Sequence, residues 1–114
     1  MNKNIQSQVM KIFYQVLADA KTETDMELIL KSLLTEKESL TIAKRLAIAV
    51  FLDKGQSYEH IHDTLQASSA TIAAVAERMN KKGMQMALNR VKAEEWADVW
   101  SIRISRALEK LMKN

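Results

Sequence analysis

The stretch GQSYEHIHDTLQASSATIAAVAERM, residues 55–79, decides the fold of this chain. Gly55 fits the left-handed backbone position that commonly ends a helix. Ser57 can then cap a short helix over Tyr58–Leu65, because its hydroxyl can accept a hydrogen bond from a free backbone N–H in the first turn. The stretch therefore predicts the end of one helix followed by the start of another.

A second short helix follows after a gap at residues 66–68, which is wide enough only for a sharp turn. Ser68 or Ser69 can cap this helix, which we expect to run to about Asn80. Two helices so short and so close must cross steeply, as in a helix-turn-helix, although a plain helical hairpin in a bundle is the alternative. The expected internal anchors are Ile61, Leu65, Ile72, Val75 and Met79.

The composition favours helix along the whole chain. Its 114 residues, about the size of one domain, include no proline and only two glycines. Cysteine is absent, which excludes disulfides and thiolate metal sites. No window approaches the roughly 20 apolar residues that a membrane-spanning helix needs. We expect an all-α, soluble, cytoplasmic protein with no membrane partner.

The flanking segments also predict helices. The first is expected over Ile5–Ala20, where apolar residues recur at helical spacing, and the second begins at Thr24 with a reciprocal cap from Glu27. The third helix is expected to begin with the same kind of cap, between Thr35 and Glu38, and to end at Gly55. Apolar residues cover more than one side of the second helix and most of the circumference of the third. We therefore expect the third helix to be central and largely buried, and we expect a partner chain to cover the apolar surface that one copy leaves exposed.

One or two amphipathic helices are expected from Met84 to Lys113. We assign residues 1–83 to a dimerisation and helix-turn-helix core, with the helix-turn-helix at residues 57–80. Residues 84–114 form a C-terminal helical extension of the same domain. From Lys81 onward, eight basic residues accompany four acids, which suits an anionic partner or a solvated basic face. The candidates for phosphate contacts here are Arg90, Lys92, Arg103, Arg106, Lys110 and Lys113, and Arg78, Lys81 and Lys82 can supplement the affinity.

Catalytic and metal-binding patterns are not evident. His60 and His62 lie two positions apart, so a helix directs them to different sides and they cannot share a metal. No glycine-rich phosphate loop or nucleophile pattern is present. We expect no enzyme, no catalytic residue, no metal and no cofactor.

The start of the second short helix suits contact with a DNA duplex. Ser68, Ser69, Ala70 and Thr71 are small or carry hydroxyls, so the backbone can approach DNA closely. Hydroxyls can reach base edges or phosphates, and a helix N-terminus favours phosphate. No Arg, Lys, Asn or Gln lies in this first turn to read a base with two hydrogen bonds.

The run LLTEKESLTIAKRLAIAVFLDKGQSYEHIHDTLQASSATIAAV resembles the core of the Trp repressor superfamily. It has the LT-x-x-E helix start, the R-L core helix that ends in glycine, and the ATI recognition helix. The following KKGMQMALNRVK is similar to the segment after the recognition helix in the TrpR-like YerC/YecD branch. Together these features cover roughly Leu34 to Lys92, about half of the chain.

The resemblance implies an intertwined, all-α homodimer with an extra C-terminal amphipathic helix, in which the two short helices contact DNA. Glu59 would face the DNA backbone as an acid where tryptophan-dependent members carry a base. The expected DNA-binding residues are Tyr58, His62, Ser68, Ser69, Ala70, Thr71, Ala73, Lys81 and Lys82.

Ligand-binding positions of the family are only partly kept. Tryptophan-responsive members hold the ligand between a Thr that opens the core helix, an Arg within that helix and an Arg-Gly pair in the recognition helix. Thr35 and Arg45 match the first two positions. The alternative to a ligand role is that Thr35 simply caps the helix and Arg45 simply pairs with an acid. Ala74 and Val75 replace the Arg-Gly pair, which removes a guanidinium that would lie against an indole. We expect no tryptophan corepressor, and the small-molecule effector is unidentified.

We therefore expect a sequence-specific transcription regulator, a repressor, that binds palindromic operators in double-stranded DNA as a homodimer. The alternative is a helical protein-interaction module, an adaptor or an antitoxin-like regulator, that grips a protein through Trp96 and Trp100.

Overall fold

The computed structural model of the chain is all-α. It describes the backbone of residues 1–93 and 96–113 and the side chains of residues 1–93 and 102–113. The helices among these residues are α1 (Lys3–Asp19), α2 (Glu23–Leu33), α3 (Glu36–Asp53), α4 (Tyr58–Leu65), α5 (Ser69–Ala76), α6 (Lys82–Ala93) and α7 (Trp96–Lys113). The chain divides into two compact units, Met1–Thr41 and Ile42–Asn114.

The second helix begins earlier than its sequence predicts. Thr22, not Thr24, is the N-cap, and its Oγ1 accepts a 3.0 Å hydrogen bond from the Asp25 N–H. This start places Glu23 and Asp25 in the first turn, where acids interact favourably with the helix dipole. Glu27, expected to complete the cap, instead forms an ion pair with Lys31 at 2.7 Å, so the capping box at residues 24–27 is wrong.

Both predicted ends of α3 are confirmed. The Glu38 N–H donates to the Thr35 Oγ1 at 3.1 Å, and the Thr35 N–H donates to the Glu38 carboxylate at 2.8 Å, which is the reciprocal cap. At the other end Gly55 has a φ of 77°. The Gly55 N–H donates to the Leu52 carbonyl and the Gln56 N–H to the Phe51 carbonyl, both at 3.0 Å, as in a Schellman motif.

Burial along α3 is more limited than predicted. In the isolated chain only Ala47–Phe51 are buried on this helix, whereas Leu40, Ile42 and Leu46 are exposed. The prediction of a largely buried helix is therefore wrong for a single copy. Neither α1 nor α2 contains a fully buried residue, and apolar side chains such as Phe13 and Leu17 are only half-buried.

The hydrophobic core lies in the second unit. It combines Ile48–Phe51 of α3 with residues from the next three helices and the turn between α4 and α5. These are Ile61, Ala67, Ile72, Val75 and Leu88, with Leu52, Leu65, Met79, Met84 and Val91 packed against them.

The fifth helix ends at Ala76, not near Asn80 as predicted. After Ala76 the backbone hydrogen bonds are of the 3₁₀ type and reach three residues back. The Arg78 N–H donates to the Val75 carbonyl at 2.9 Å, and the Met79 N–H donates to the Ala76 carbonyl at 3.3 Å. The expected C-terminal segment forms two helices, α6 and α7. None of the helices over residues 1–93 and 96–113 combines the length and the hydropathy needed to span a bilayer.

Candidate nucleic-acid interface

A helix-turn-helix is formed by α4, the turn at residues 66–68, and α5. Ser57 caps α4 through a 3.1 Å bond from the His60 N–H, and Ser68 caps α5 through a 3.1 Å bond from the Thr71 N–H. Both capping predictions are confirmed, with Ser68 chosen over Ser69. Between the two helices Gln66 takes the left-handed conformation, with φ 54° and ψ 41°, which reverses the chain within three residues.

The turn is held by a side chain of α4. The His62 Nδ1 lies 2.7 Å from the Ala67 carbonyl oxygen. Since a carbonyl can only accept, the His62 ring donates from Nδ1. The sequence pattern indicated only a DNA-facing role for His62 and missed this bond.

The two histidines point to different sides of α4, as predicted. The His60 ring packs near the Phe51 ring, with centroids 5.9 Å apart, while His62 reaches the turn. Among the described side chains, no group of three or more histidines and acids could hold a metal ion.

One face of α5 packs against the hydrophobic core through its buried apolar side chains. Ile72 is completely buried and Val75 is 3% exposed. They pack with Ile61 of α4 and Ala67 of the turn, and Leu65 and Met79 pack against this cluster. The predicted anchors are confirmed.

Most of the remaining surface of α5 is exposed and carries small side chains. Ser69, Ala70, Thr71 and Ala73 all lie on it. The Thr71 hydroxyl lies 2.9 Å from the Ser68 hydroxyl, so these two groups form a hydrogen-bonded pair at the helix N-terminus. With small side chains and free backbone N–H groups, this face can approach a duplex closely and attract phosphate.

The other predicted DNA-contact residues lie before and after α5 in the sequence. Tyr58 at the start of α4 is 44% exposed, and Glu59 beside it is exposed. Lys81 and Lys82 are exposed at the start of α6, close in sequence to the end of α5. The Gln85 Nε2 donates to the Met79 carbonyl at 2.6 Å, which ties the first turns of α6 to the segment that carries these lysines.

Residues 8–92 match the model of the family described as Trp repressor protein. The chain belongs to the Trp repressor family. Trp repressor proteins are DNA-binding helix-turn-helix regulators and not enzymes. No curated protein and no solved structure matches the chain. The family match contains α2–α5 with the whole helix-turn-helix, most of α1 and all of α6 except its last residue, whereas α7 lies beyond it.

The structure describes the surroundings of Thr35, Arg45, Ala74 and Val75. Thr35 caps α3 in the exchange with Glu38, and Arg45 is exposed on α3. In α5, Ala74 is exposed and Val75 is part of the core. The branched Val75 side chain thus belongs to the core of the helix-turn-helix.

The Thr35 exchange also affects the protonation of Glu38. Because the Thr35 N–H and hydroxyl hydrogen-bond to the carboxylate, the pKa of Glu38 lies below its ordinary value of 4.5. The charged form of Glu38 is therefore part of the folded start of α3.

Proposed function

We propose that this Trp repressor family member is a cytoplasmic transcription repressor that binds palindromic operators in double-stranded DNA as a homodimer. One observation carries the proposal: α5 buries Ile72 and Val75 in the core and turns a small, hydroxyl-bearing face outward. Such a face can enter a major groove without steric hindrance. Tyr58, His62, Lys81 and Lys82 would then contact phosphates on either side of the groove and position the helix.

The homodimer is supported by the exposed apolar surface of the first unit. Ile12 in α1 is 62% exposed and Leu28 in α2 is 61% exposed. An open groove of about 340 Å³ lies between the end of α1 and α2 and is lined by Val16, Asp19, Ala20, Asp25, Leu28 and Ile29. Helices without a fully buried residue are marginal in water, because helical stability comes mainly from packing an apolar face. A second copy that interlocks with this unit supplies the missing cover, and dimers are typical of the family.

The palindromic operator follows from the symmetry of such a dimer. Two copies of α5 related by a two-fold axis would enter successive major grooves about one helical turn apart, so the two half-sites must be inverted copies. Repression requires only that the dimer occupy its operator.

The likeness of residues 81–92 to the YerC/YecD branch supports placing the chain in that branch.

We propose that DNA binding does not depend on tryptophan. Val75 is buried among core residues, and Ala74 offers no charged plane to cover an indole. The position of α5 is set by its own packing. We expect added tryptophan to leave both DNA affinity and thermal stability unchanged. A small effector near Thr35 and Arg45 stays a separate prediction, which calorimetry with a panel of metabolites can reject.

Selection of bound sequences from random duplex DNA with the purified protein tests the proposal. We expect enrichment of an inverted repeat whose half-sites lie about 10 base pairs apart. If no sequence is enriched and no duplex binds at low salt, the protein is not a DNA-binding regulator. That outcome would favour the protein-interaction module, whose Trp96 and Trp100 side chains lie outside the described residues.

The double substitution Ala70→Glu with Thr71→Glu tests the reading helix. Both positions lie in the first turn of α5, where acids are favourable, and a glutamate at position 71 can complete a capping box with Ser68. The variant should therefore remain folded while its new charges repel phosphate. The matched control is Asn4→Glu with Asn89→Glu, which adds two acids at exposed sites of α1 and α6. We expect loss of operator binding in the first variant only; equal affinities would exclude α5 as the reader.

A further inference from the structure

Four basic residues near the end of α7 form a stripe along one side of the helix. Arg103, Arg106, Lys110 and Lys113 are separated by three, four and three positions. With 3.6 residues per turn, this spacing confines them to about 80° of the circumference and spreads them over about 15 Å of helix. All four are exposed, and none forms an ion pair with a described side chain. We refer to them as the α7 basic stripe.

The arrangement of like charges in the stripe costs helix stability. Arg106 and Lys110 are four positions apart, and the other neighbouring pairs are three apart, which brings the cations close together on the helix surface. Glu109 is the one acid among side chains 102–113, and it lies at the edge of the stripe without an ion pair to it. A helix face that only needs to be soluble can mix both signs of charge, as Glu27 and Lys31 do on α2. An anionic partner would relieve the repulsion within the stripe.

The stripe differs from the other basic residues of the C-terminal third. The Lys92 Nζ lies 3.2 Å from an Asp53 carboxylate oxygen, so Lys92 links the end of α6 to the end of α3. Lys92 is therefore already engaged within the protein. The stripe, in contrast, lies beyond residues 8–92 that match the family, but in the same compact unit as α4 and α5.

We propose that the α7 basic stripe binds the phosphate backbone of duplex DNA beside the site read by α5. The inference rests on the proposed DNA-binding function. The stripe is about 15 Å long, and the negative charges of duplex DNA are spaced at about 3.4 Å per strand along the helix axis, so several phosphates lie within reach of its four cations. Such contacts release counterions and add affinity for any sequence, whereas α5 supplies the preference.

The test compares two variants of the full chain with equal charge. The stripe variant carries R103Q, R106Q, K110Q and K113Q, and the control carries K3Q, K11Q, K21Q and K37Q at exposed lysines of the first unit. Each set lowers the formal net charge by four, from +3 to −1. Glutamine is a good helix former, so both variants should keep their helicity, as circular dichroism can show.

Affinity for the selected operator and for an unrelated duplex is then measured between about 50 and 200 mM salt. We expect the stripe variant to bind both duplexes at least tenfold more weakly than the control at the lowest salt. The slope of log affinity against log salt should fall by about 0.9 for every phosphate that the variant no longer neutralises. The ratio of operator to unrelated affinity should stay the same.

Three outcomes would overturn the inference. If the stripe and control variants give the same slopes, the stripe is a solvated face. If the stripe variant loses affinity only for the operator, it acts on sequence reading and not on phosphates. If the wild type but not the stripe variant binds anionic phospholipid vesicles, while their DNA slopes agree, the partner is a membrane surface. Failure of the proposed function looks different, since the wild type itself would then bind no duplex.

Discussion

The His62 Nδ1 lies 2.7 Å from the Ala67 carbonyl oxygen and so joins the last turn of α4 to the residue before Ser68, the N-cap of α5. Between these two residues Gln66 has a positive φ, a conformation that an L residue adopts only at a cost. The hydrogen bond offsets part of this cost within the same turn. The His62 hydrogen bond therefore contributes, together with the packing of Ile72 and Val75, to the orientation of α5 relative to α4.

We expect His62→Phe to lower the free energy of unfolding by about 1 kcal/mol, because it removes the donor to Ala67 while keeping a ring of similar helix propensity. His62→Asn should lose much less, because the Asn amide can donate from nearly the same place and Asn has a similar propensity. Urea unfolding of the three proteins measures the difference. Equal midpoints for the Phe and Asn variants would mean that the bond does not stabilise the turn.

The two glycines should respond in opposite directions to substitution by alanine. At both Gly55 and Gly83, an added Cβ would meet no atom within 4 Å, so steric contact plays no part. Gly55 has a φ of 77°, and we expect Gly55→Ala to destabilise the protein by about 1 kcal/mol. Gly83 lies in the first turn of α6 without such a φ, and Gly83→Ala should stabilise by about 0.4–1 kcal/mol. Thermal unfolding of both variants checks the signs, and a shared sign would contradict the backbone explanation.

The start of α3 should weaken in acid because of Glu38. Its pKa in the folded protein lies below the ordinary 4.5, owing to the hydrogen bonds from Thr35. A lowered folded pKa means that the contribution of the carboxylate is fully present above pH 4.5 and is lost as the pH falls through the folded value. Glu38→Gln keeps an acceptor that does not titrate. We therefore expect the unfolding midpoint of the wild type to fall relative to this variant as the pH drops from 5 to 3, whereas parallel curves would rule out the cap as the cause.

Self-association should depend on the exposed face of α1. In a dimer, the Ile12 side chain of each copy would be buried away from water, and each burial contributes about 1.5–3 kcal/mol. We expect Ile12→Glu to raise the dimer dissociation constant by more than tenfold in sedimentation experiments. Ser7→Glu adds the same charge on the other side of α1 and should leave the dimer nearly intact. A wild type that sediments as a monomer at micromolar concentration would remove the basis for the palindromic operator.

The ends of α3 and the starts of α4 and α5 could be predicted because their signals are local. A cap involves groups within three to five positions of each other, as in Thr35 with Glu38 and Gly55 with Leu52. The anchors Ile61 and Ile72 were predictable for a related reason, since helical spacing reveals which side of a short helix is apolar.

Local signals failed where the sequence offers two equal choices. Thr22 with Asp25 and Thr24 with Glu27 are equivalent cap signals, and only the folded chain shows that Thr22 is used and that Glu27 pairs with Lys31. The end of α5 was also predicted wrongly, because no residue over positions 77–80 is a strong helix breaker. The structure nevertheless ends the helix at Ala76 and continues with hydrogen bonds that reach three residues back.

By itself, the sequence determined an all-α chain of the Trp repressor family with a helix-turn-helix at the expected place, because caps, helical spacing and small residues act over a few positions along the chain. Only the tertiary structure decided that His62 holds the turn, that Val75 belongs to the core, and that Lys92 is engaged by Asp53 while the α7 basic stripe is not. Those outcomes depend on which groups meet when separate helices pack, and spacing along one helix carries no information about its neighbours.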